Sequence, residues 1–265
     1  MTPISPAHLR NFAIVGHAST GKTMLAEAML VCSKKIGRLG SIEAGTTASD
    51  FHQSEKDHRI SVHASVLATE WAGCKLNIVD TPGYQDFISE GLAALRVGDF
   101  AVVVANAAEG ISTGTDKVWA EADAYGLPKI LVINGLDKPN TNFASVMEQA
   151  KAHFGANVFP LTIPLDEGPG FCRLLDVMRS EVVTYQTDGS GVFSESPAQG
   201  PDADRVKALH QQLIEYVAES DPGLMERFFA QDGLDESELR AGLHHALQDS
   251  VFVPVFVTAA TSNVG

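Results

Sequence analysis

Near the start of the chain, Gly16-His17-Ala18-Ser19-Thr20-Gly21-Lys22-Thr23 carries the spacing G-x-x-x-x-G-K-[ST]. That spacing suits the capture of a phosphate chain, because successive backbone N–H groups line one concavity and glycine lets the backbone approach an oxygen where a Cβ would intrude. Gly16 and Gly21 are the positions that need this freedom. Lys22 would reach β and γ phosphates, the Thr23 hydroxyl would ligate Mg²⁺, and the helix that Met24 continues would add the positive end of its dipole. Further along, Asp80-Thr81-Pro82-Gly83 offers a carboxylate that can hold Mg²⁺ through water and a Gly83 N–H that can sense a γ phosphate. Asn134 and Asp137 suit a nucleobase, since a carboxylate accepts from the N1–H and 2-amino groups of guanine, and adenine lacks both donors. Within Thr258-Ala259-Ala260-Thr261, the Ala260 N–H can be offered to the guanine O6.

The elements that must position these groups follow from periodicity. Phe12 to Val15 is a short apolar run before the clamp, and an amphipathic helix runs from it to about Ile36. Gly37 to Asp57 reads as a long loop rich in Gly, Thr and Ser, a kind of segment that is usually functional or mobile. Ile60 to Trp71 and Lys75 to Val79 read as paired strands around the Ala72-Gly73 turn, the second delivering Asp80 to its carboxyl end. Helices are predicted at Asp86 to Arg96, Gly114 to Tyr125 and Phe143 to Phe154, and buried strands at Phe100 to Val104, Lys129 to Ile133 and Phe252 to Val257. This alternation predicts an α/β fold with a mostly parallel sheet whose carboxyl edge collects the ligand loops.

Between Gly155 and Gln248 the pattern changes to short strands, a Gly, Ser and Pro loop from Asp188 to Pro201, and helices at Asp204 to Ala218, Pro222 to Ala230 and Ser237 to Gln248. We divide the chain into a core at 1–154, an inserted α+β subdomain at 155–248, and a last core strand with its loop at 249–265. Asp221 and the Asp235–Glu238 pair have the spacing of helix caps. Met225, Phe228 and Phe229 are assigned to the core, and His244 and His245 to surface or structural roles.

Composition narrows the function classes. A net charge of -14, from 33 acids against 19 bases, argues against a broad electrostatic grip on nucleic acid. Cys32, Cys74 and Cys172 are odd in number and far apart, and they read as reduced, mostly packed thiols of a cytoplasmic protein. Met1 to Arg10 has two prolines and no long apolar stretch, so neither a signal peptide nor a membrane span is expected.

Taken in this order, Gly16 to Thr23, Ser61, Asp80 to Gly83, Asn134 with Asp137, and Ala259-Ala260 resemble the five nucleotide-binding motifs of translational GTPases. The chain is most similar to the GTP-binding domain of elongation factor G or of a divergent elongation-factor-G-like branch. The resemblance implies a P-loop GTPase domain that uses GTP/GDP and Mg²⁺, with Thr23, Ser61 and Asp80 at the metal, and Lys22, Gly83 and Tyr84 around hydrolysis. It implies contact with the ribosome through an intact, longer factor from which this domain is a piece. The 155–248 lobe is similar in position to that factor's accessory subdomain.

Three departures bear on activity. Gly135 stands where the family's N-K-x-D has a lysine lying along the base; losing about three buried methylenes at ~0.8 kcal/mol each predicts roughly fiftyfold weaker binding. Tyr84 stands where the family has a histidine that orients the attacking water; a phenol is a poor base at neutral pH, which predicts slow or ribosome-dependent hydrolysis. His58-Arg59-Ile60-Ser61 replaces R-G-I-T, so Arg59 restricts the backbone where glycine would be free. A module that binds GTP and GDP without hydrolysing GTP is the competing reading, and an ATP-using enzyme is disfavoured by Asp137.

Overall fold

Strand β1, Leu9–Gly16, carries the alternation that organises the molecule. Phe12 and Ile14 point to one face of the sheet, Ala13 and Val15 to the other, and all four are buried, so both faces must be covered. A computed structural model describes residues 4–231 and 233–265. On the first face, α1 (Lys22–Cys32) packs Met24, Leu25 and Ala26 against Phe12 and Ile14. The second face is covered by α3 (Ile88–Val97), α4 (Thr113–Ala124) and α5 (Phe143–Phe154), through Leu95, Trp119 and Met147 among others.

The remaining core strands are β2 (Ser65–Trp71), β3 (Cys74–Asp80), β4 (Phe100–Asn106), β5 (Lys129–Asn134), β6 (Val158–Pro160) and β11 (Val253–Thr258). Their order is β2-β3-β1-β4-β5-β11-β6. Every neighbouring pair is parallel except β2 with β3, the hairpin expected around Ala72-Gly73. The continuous apolar runs of β4 and β5 belong at the centre of such a sheet, buried on both faces. All the parallel strands end at one edge, and the predicted ligand loops leave from that edge.

The second sheet is antiparallel, β10-β9-β8-β7, made of β7 (Thr162–Pro164), β8 (Arg173–Asp176), β9 (Glu181–Tyr185) and β10 (Phe193–Pro197). Helices α6 (Pro201–Glu219), α7 (Pro222–Gln231) and α8 (Glu236–Gln248) follow it. The fold is thus α/β with a mostly parallel central sheet and a second, antiparallel α+β unit. The passage between the two is gradual: β6, inside 155–248, is the last strand of the central sheet, and the Thr162 hydroxyl accepts the Val257 N–H at 2.9 Å. The caps form as expected, with Asp221 accepting from Gly223 and Leu224, and Asp235 and Glu238 closing a reciprocal box.

Several expectations are corrected. Helix α1 ends at Cys32 rather than Ile36. The Gly37 to Asp57 loop ends in a short helix, α2 (Gln53–His58), and the following strand starts at Ser65 rather than Ile60. β10 lies inside the Asp188 to Pro201 loop; its five residues are all exposed and it is held by pairing with β9 alone, so no apolar alternation announces it. Phe229 is 77% exposed and therefore not core, whereas Phe228 is half-buried. Cys32 is exposed instead of packed. No helix among the described residues is long and apolar enough to cross a membrane.

Candidate functional site

The clamp leaves β1 at Gly16 (φ +146) and reaches α1 through Ser19 (φ +60) and Gly21 (φ +88). A Cβ on Gly16 would lie 2.4 Å from the Val104 carbonyl oxygen, and one on Gly21 2.2 Å from Asn134 Nδ2, so neither position accepts a side chain. Lys22 is buried, and its ammonium donates to the His17 carbonyl at 2.6 Å, the acceptor that Thr20 Oγ1 also uses at 3.0 Å. Burial pulls the Lys22 pKa down to about 8, partly opposed by the Asp80 carboxylate. The Gly83 backbone abuts this loop: a Cβ there would meet Lys22 Nζ at 2.4 Å and the Ala18 nitrogen at 2.6 Å. The sequence-distant D-T-P-G turn and the lysine therefore share one wall. Met24 turns its side chain into the core with Phe12 and Ile14, which leaves its backbone as the only part that can meet a ligand.

Beside the clamp, three oxygen-bearing groups from three segments converge. Thr23 Oγ1 and Ser61 Oγ are 3.2 Å apart, and Asp80 is 2% exposed at the end of β3. Burial pushes the Asp80 carboxyl up to about 6, while nearby Ser49 and Thr23 hydroxyls and the Lys22 ammonium pull the other way. Neither Asp80 oxygen meets a well-formed hydrogen bond. A buried carboxylate in this state costs free energy unless a cation or its water shell completes it. Two hydroxyls and one carboxylate match a hard, oxygen-seeking ion such as Mg²⁺. Among the described residues no three His, Cys, Asp or Glu side chains converge on a metal position.

The base side is built around Asn134. Its Nδ2 donates to the Thr20 carbonyl at 2.8 Å, and its Oδ1 accepts from Thr258 Oγ1 at 2.9 Å and from the Ala260 N–H at 3.0 Å. This amide fastens the clamp to the last loop, and it takes the Ala260 N–H that a guanine O6 would have to share. Ala259 is fully buried and exchanges both backbone bonds with Val264. Asp137 accepts Ser262 Oγ at 2.7 Å and Thr261 Oγ1 at 3.2 Å on one oxygen, while its other oxygen, Oδ1, is buried with no partner. Gly135 has φ +85, and only Lys138 comes within 4 Å of where its Cβ would stand. Space for the missing lysine stem is present, but a side chain there must accept a left-handed backbone.

Tyr84 is 43% exposed at the start of the 3-10 turn Gln85–Phe87, with its side chain outside the network of the clamp. Arg59 adopts φ +56 and is exposed, so it takes the left-handed conformation that glycine would supply more cheaply. Sequence reasoning missed the carboxylates that fix the loop between α1 and β2. Glu27 accepts the Gly40 and Ala48 N–H groups, Glu55 those of His52, Val62 and His63, and Glu90 that of Ala64. The three-residue spacing of His52 and Glu55, a capping-box spacing, was the available signal.

Comparison with known proteins places the chain in a family. Residues 7–265 match the family model described as the elongation factor Tu GTP binding domain. The chain is 33% identical over 262 residues to elongation factor G 2 of Syntrophus aciditrophicus, and 36% identical over 266 residues to an elongation factor G-like protein of Mycobacterium tuberculosis. These alignments take in 98% and 100% of this chain but only 38% and 36% of the relatives, so the chain spans well under half of their length. A crystal structure of a Thermus thermophilus protein superposes with a TM-score of 0.91 at 30% identity, covering 98% of this chain and 38% of that one.

Proposed function

Because the chain belongs to the family of elongation factor Tu GTP-binding domains, we propose that it binds GTP with Mg²⁺ and hydrolyses it as the nucleotide-driven part of a ribosome-associated, cytoplasmic translation factor. The observation that carries this reading is the corner where Thr23 and Ser61 hydroxyls stand 3.2 Å apart beside the buried carboxylate of Asp80. The backbone N–H groups of residues 17 to 23 hold the phosphates, Lys22 neutralises charge on the β and γ groups, and the Gly83 N–H reports the γ phosphate. Thr23, Ser61 and Asp80 would hold Mg²⁺, which would supply positive charge to the transferring phosphoryl group. Asp137 Oδ1 accepts from the guanine edge, and Asn134 keeps the base loops in register with the clamp.

Tyr84 stands next to Gly83 with an exposed phenol that can hydrogen-bond the attacking water but cannot take its proton readily at neutral pH, so turnover is slow until the ribosome engages. The 37–61 segment changes conformation between nucleotide states, and the 155–248 segment acts as an accessory subdomain whose first strand, β6, joins the core sheet. Titration with GDP and, separately, ADP in Mg²⁺ tests the pocket, with binding of GDP alone expected. Binding of neither, or tighter binding of ADP, would overturn the guanine assignment. GTP turnover with and without ribosomes tests the enzyme: stimulation is expected, and no hydrolysis under either condition would leave only a nucleotide sensor. Parent-rate turnover by Tyr84→Phe with ribosomes would remove the phenol from the mechanism.

A further inference from the structure

Ser61 lies in an irregular stretch between α2 and β2, yet its hydroxyl is placed within 3.2 Å of Thr23 Oγ1. Such placement needs a cause, because an irregular backbone has no ladder to hold it. The bonds on either side of Ser61 lead to one residue. The Glu55 side chain is 1% exposed, and Oε1 accepts the N–H groups of Val62 and His63, both at 3.0 Å. Oε2 accepts the His52 N–H at 3.2 Å, and the Glu55 carbonyl accepts the N–H groups of Arg59 and Ile60. Five N–H donors, two just before Ser61, two just after it and one at the start of α2, thus converge on a single glutamate.

We infer that Glu55 is a positioning residue for the metal corner: its buried carboxylate folds the chain around Ser61 so that the Ser61 hydroxyl faces Thr23 Oγ1. The inference rests on the nucleotide reading given above. Glu90 adds one bond, from the Ala64 N–H at 2.8 Å, and ties the far end of the same stretch to α3. Glu27 holds the opposite end of the loop to α1 through Gly40 and Ala48. Among the three carboxylates, only Glu55 bonds both flanks of Ser61. A carboxylate is suited to this position because it only accepts, and each oxygen can take more than one backbone donor.

The contribution of Glu55 is specific to the γ-phosphate state. GDP is held by the clamp and by Asn134 and Asp137, none of which touch Glu55, whereas a triphosphate with Mg²⁺ calls on Ser61. The experiment uses the 265-residue chain and its Glu55→Ala and Glu55→Gln variants. GDP and a non-hydrolysable GTP analogue are titrated with and without Mg²⁺, and exchange of the Val62 and His63 amides is followed without nucleotide. Loss of three charge-assisted bonds in Glu55→Ala is expected to leave GDP affinity within about twofold, to cut the Mg²⁺-dependent gain for the analogue by roughly tenfold or more, and to speed both amides by about tenfold. Glu55→Gln keeps one carbonyl for Val62 and His63, and an intermediate loss is expected; it also serves if the alanine variant does not fold. Equal losses for GDP and the analogue would mark Glu55 as general scaffold and overturn the inference, as would unchanged exchange of the two amides. Failure of the parent chain to bind GDP would instead defeat the nucleotide reading, and the inference with it.

Discussion

The phosphate end and the base end of the site are built on different principles. At the phosphate end, Gly16 and Gly83 bring backbones together so closely that no Cβ fits, Gly21 lies against the Asn134 amide, and Lys22 and Asp80 are buried beside them. At the base end the work falls to side chains: the Asn134 amide bridges two loops, Asp137 keeps one oxygen unpartnered, and Gly135 leaves open space. Backbone geometry tolerates almost no substitution, whereas a side-chain network can lose a member and keep a weaker function. The departures from the family pattern follow this division, with Gly135 at the base end, Tyr84 and Arg59 just outside the clamp, and none among the clamp's key residues.

The comparison can be broken most severely where the two ends touch. Gly21→Ala would set a Cβ 2.2 Å from Asn134 Nδ2 at a position with φ +88, and we expect GDP affinity to fall by about a hundredfold or more, from damage to both ends. Equilibrium dialysis with labelled GDP would read it, and near-parent affinity would contradict the geometry. Asp137→Asn removes the carboxylate proposed to accept from the guanine edge; a loss of roughly thirtyfold or more in GDP affinity is expected, with ADP still not bound. GDP affinity near that of the parent would remove Asp137 from base choice.

The next two substitutions sharpen the contrast. Gly135→Lys would regain about 2.4 kcal/mol of stem burial but give back ~1–2 kcal/mol to the left-handed backbone, leaving a net gain in GDP affinity of about fivefold. This is smaller than the fiftyfold expected from packing alone, and unchanged affinity would show that no stem covers the base. Arg59→Gly relieves the φ of +56 at the end of α2. A stabilisation near ~1 kcal/mol corresponds to about 2 °C in thermal midpoint for a chain of this size, readable by scanning calorimetry. A lower midpoint would mean that the Arg59 side chain contributes more than its backbone costs.

Legibility in the sequence followed the same physics. The clamp, the D-T-P-G turn and the order of buried parallel strands could be read directly, since fixed spacing and continuous apolar runs are what close backbone packing requires. Helix α5 was legible residue for residue, from Phe143 to Phe154. Other elements were hidden because polar groups rather than apolar periods hold them: α2 is organised by Glu55, and β10 by backbone pairing with β9. The inward-facing Glu27, Glu55 and Glu90 look like ordinary loop and helix acids in sequence, because charge count carries no direction. At the base end, Asn134 and Asp137 were identified by type, but the claim of Asn134 on the Ala260 N–H and the burial of Ala259 depend on a contact between distant loops.

The adjacency of β5 and β11 sets a timetable for biogenesis. These neighbours in the sheet are separated in the chain by the whole span from α5 to α8, roughly 120 residues, so their pairing is among the last long-range contacts to become possible. At ~5–20 residues per second of synthesis, about 6–24 s pass between the emergence of Asn134 and that of its partners Thr258 and Ala260. During that interval the clamp's helix and first strands can assemble while the guanine loop is still missing its far wall. The bonds from Thr258 and Ala260 to Asn134 can therefore close only after β11 has left the exit tunnel.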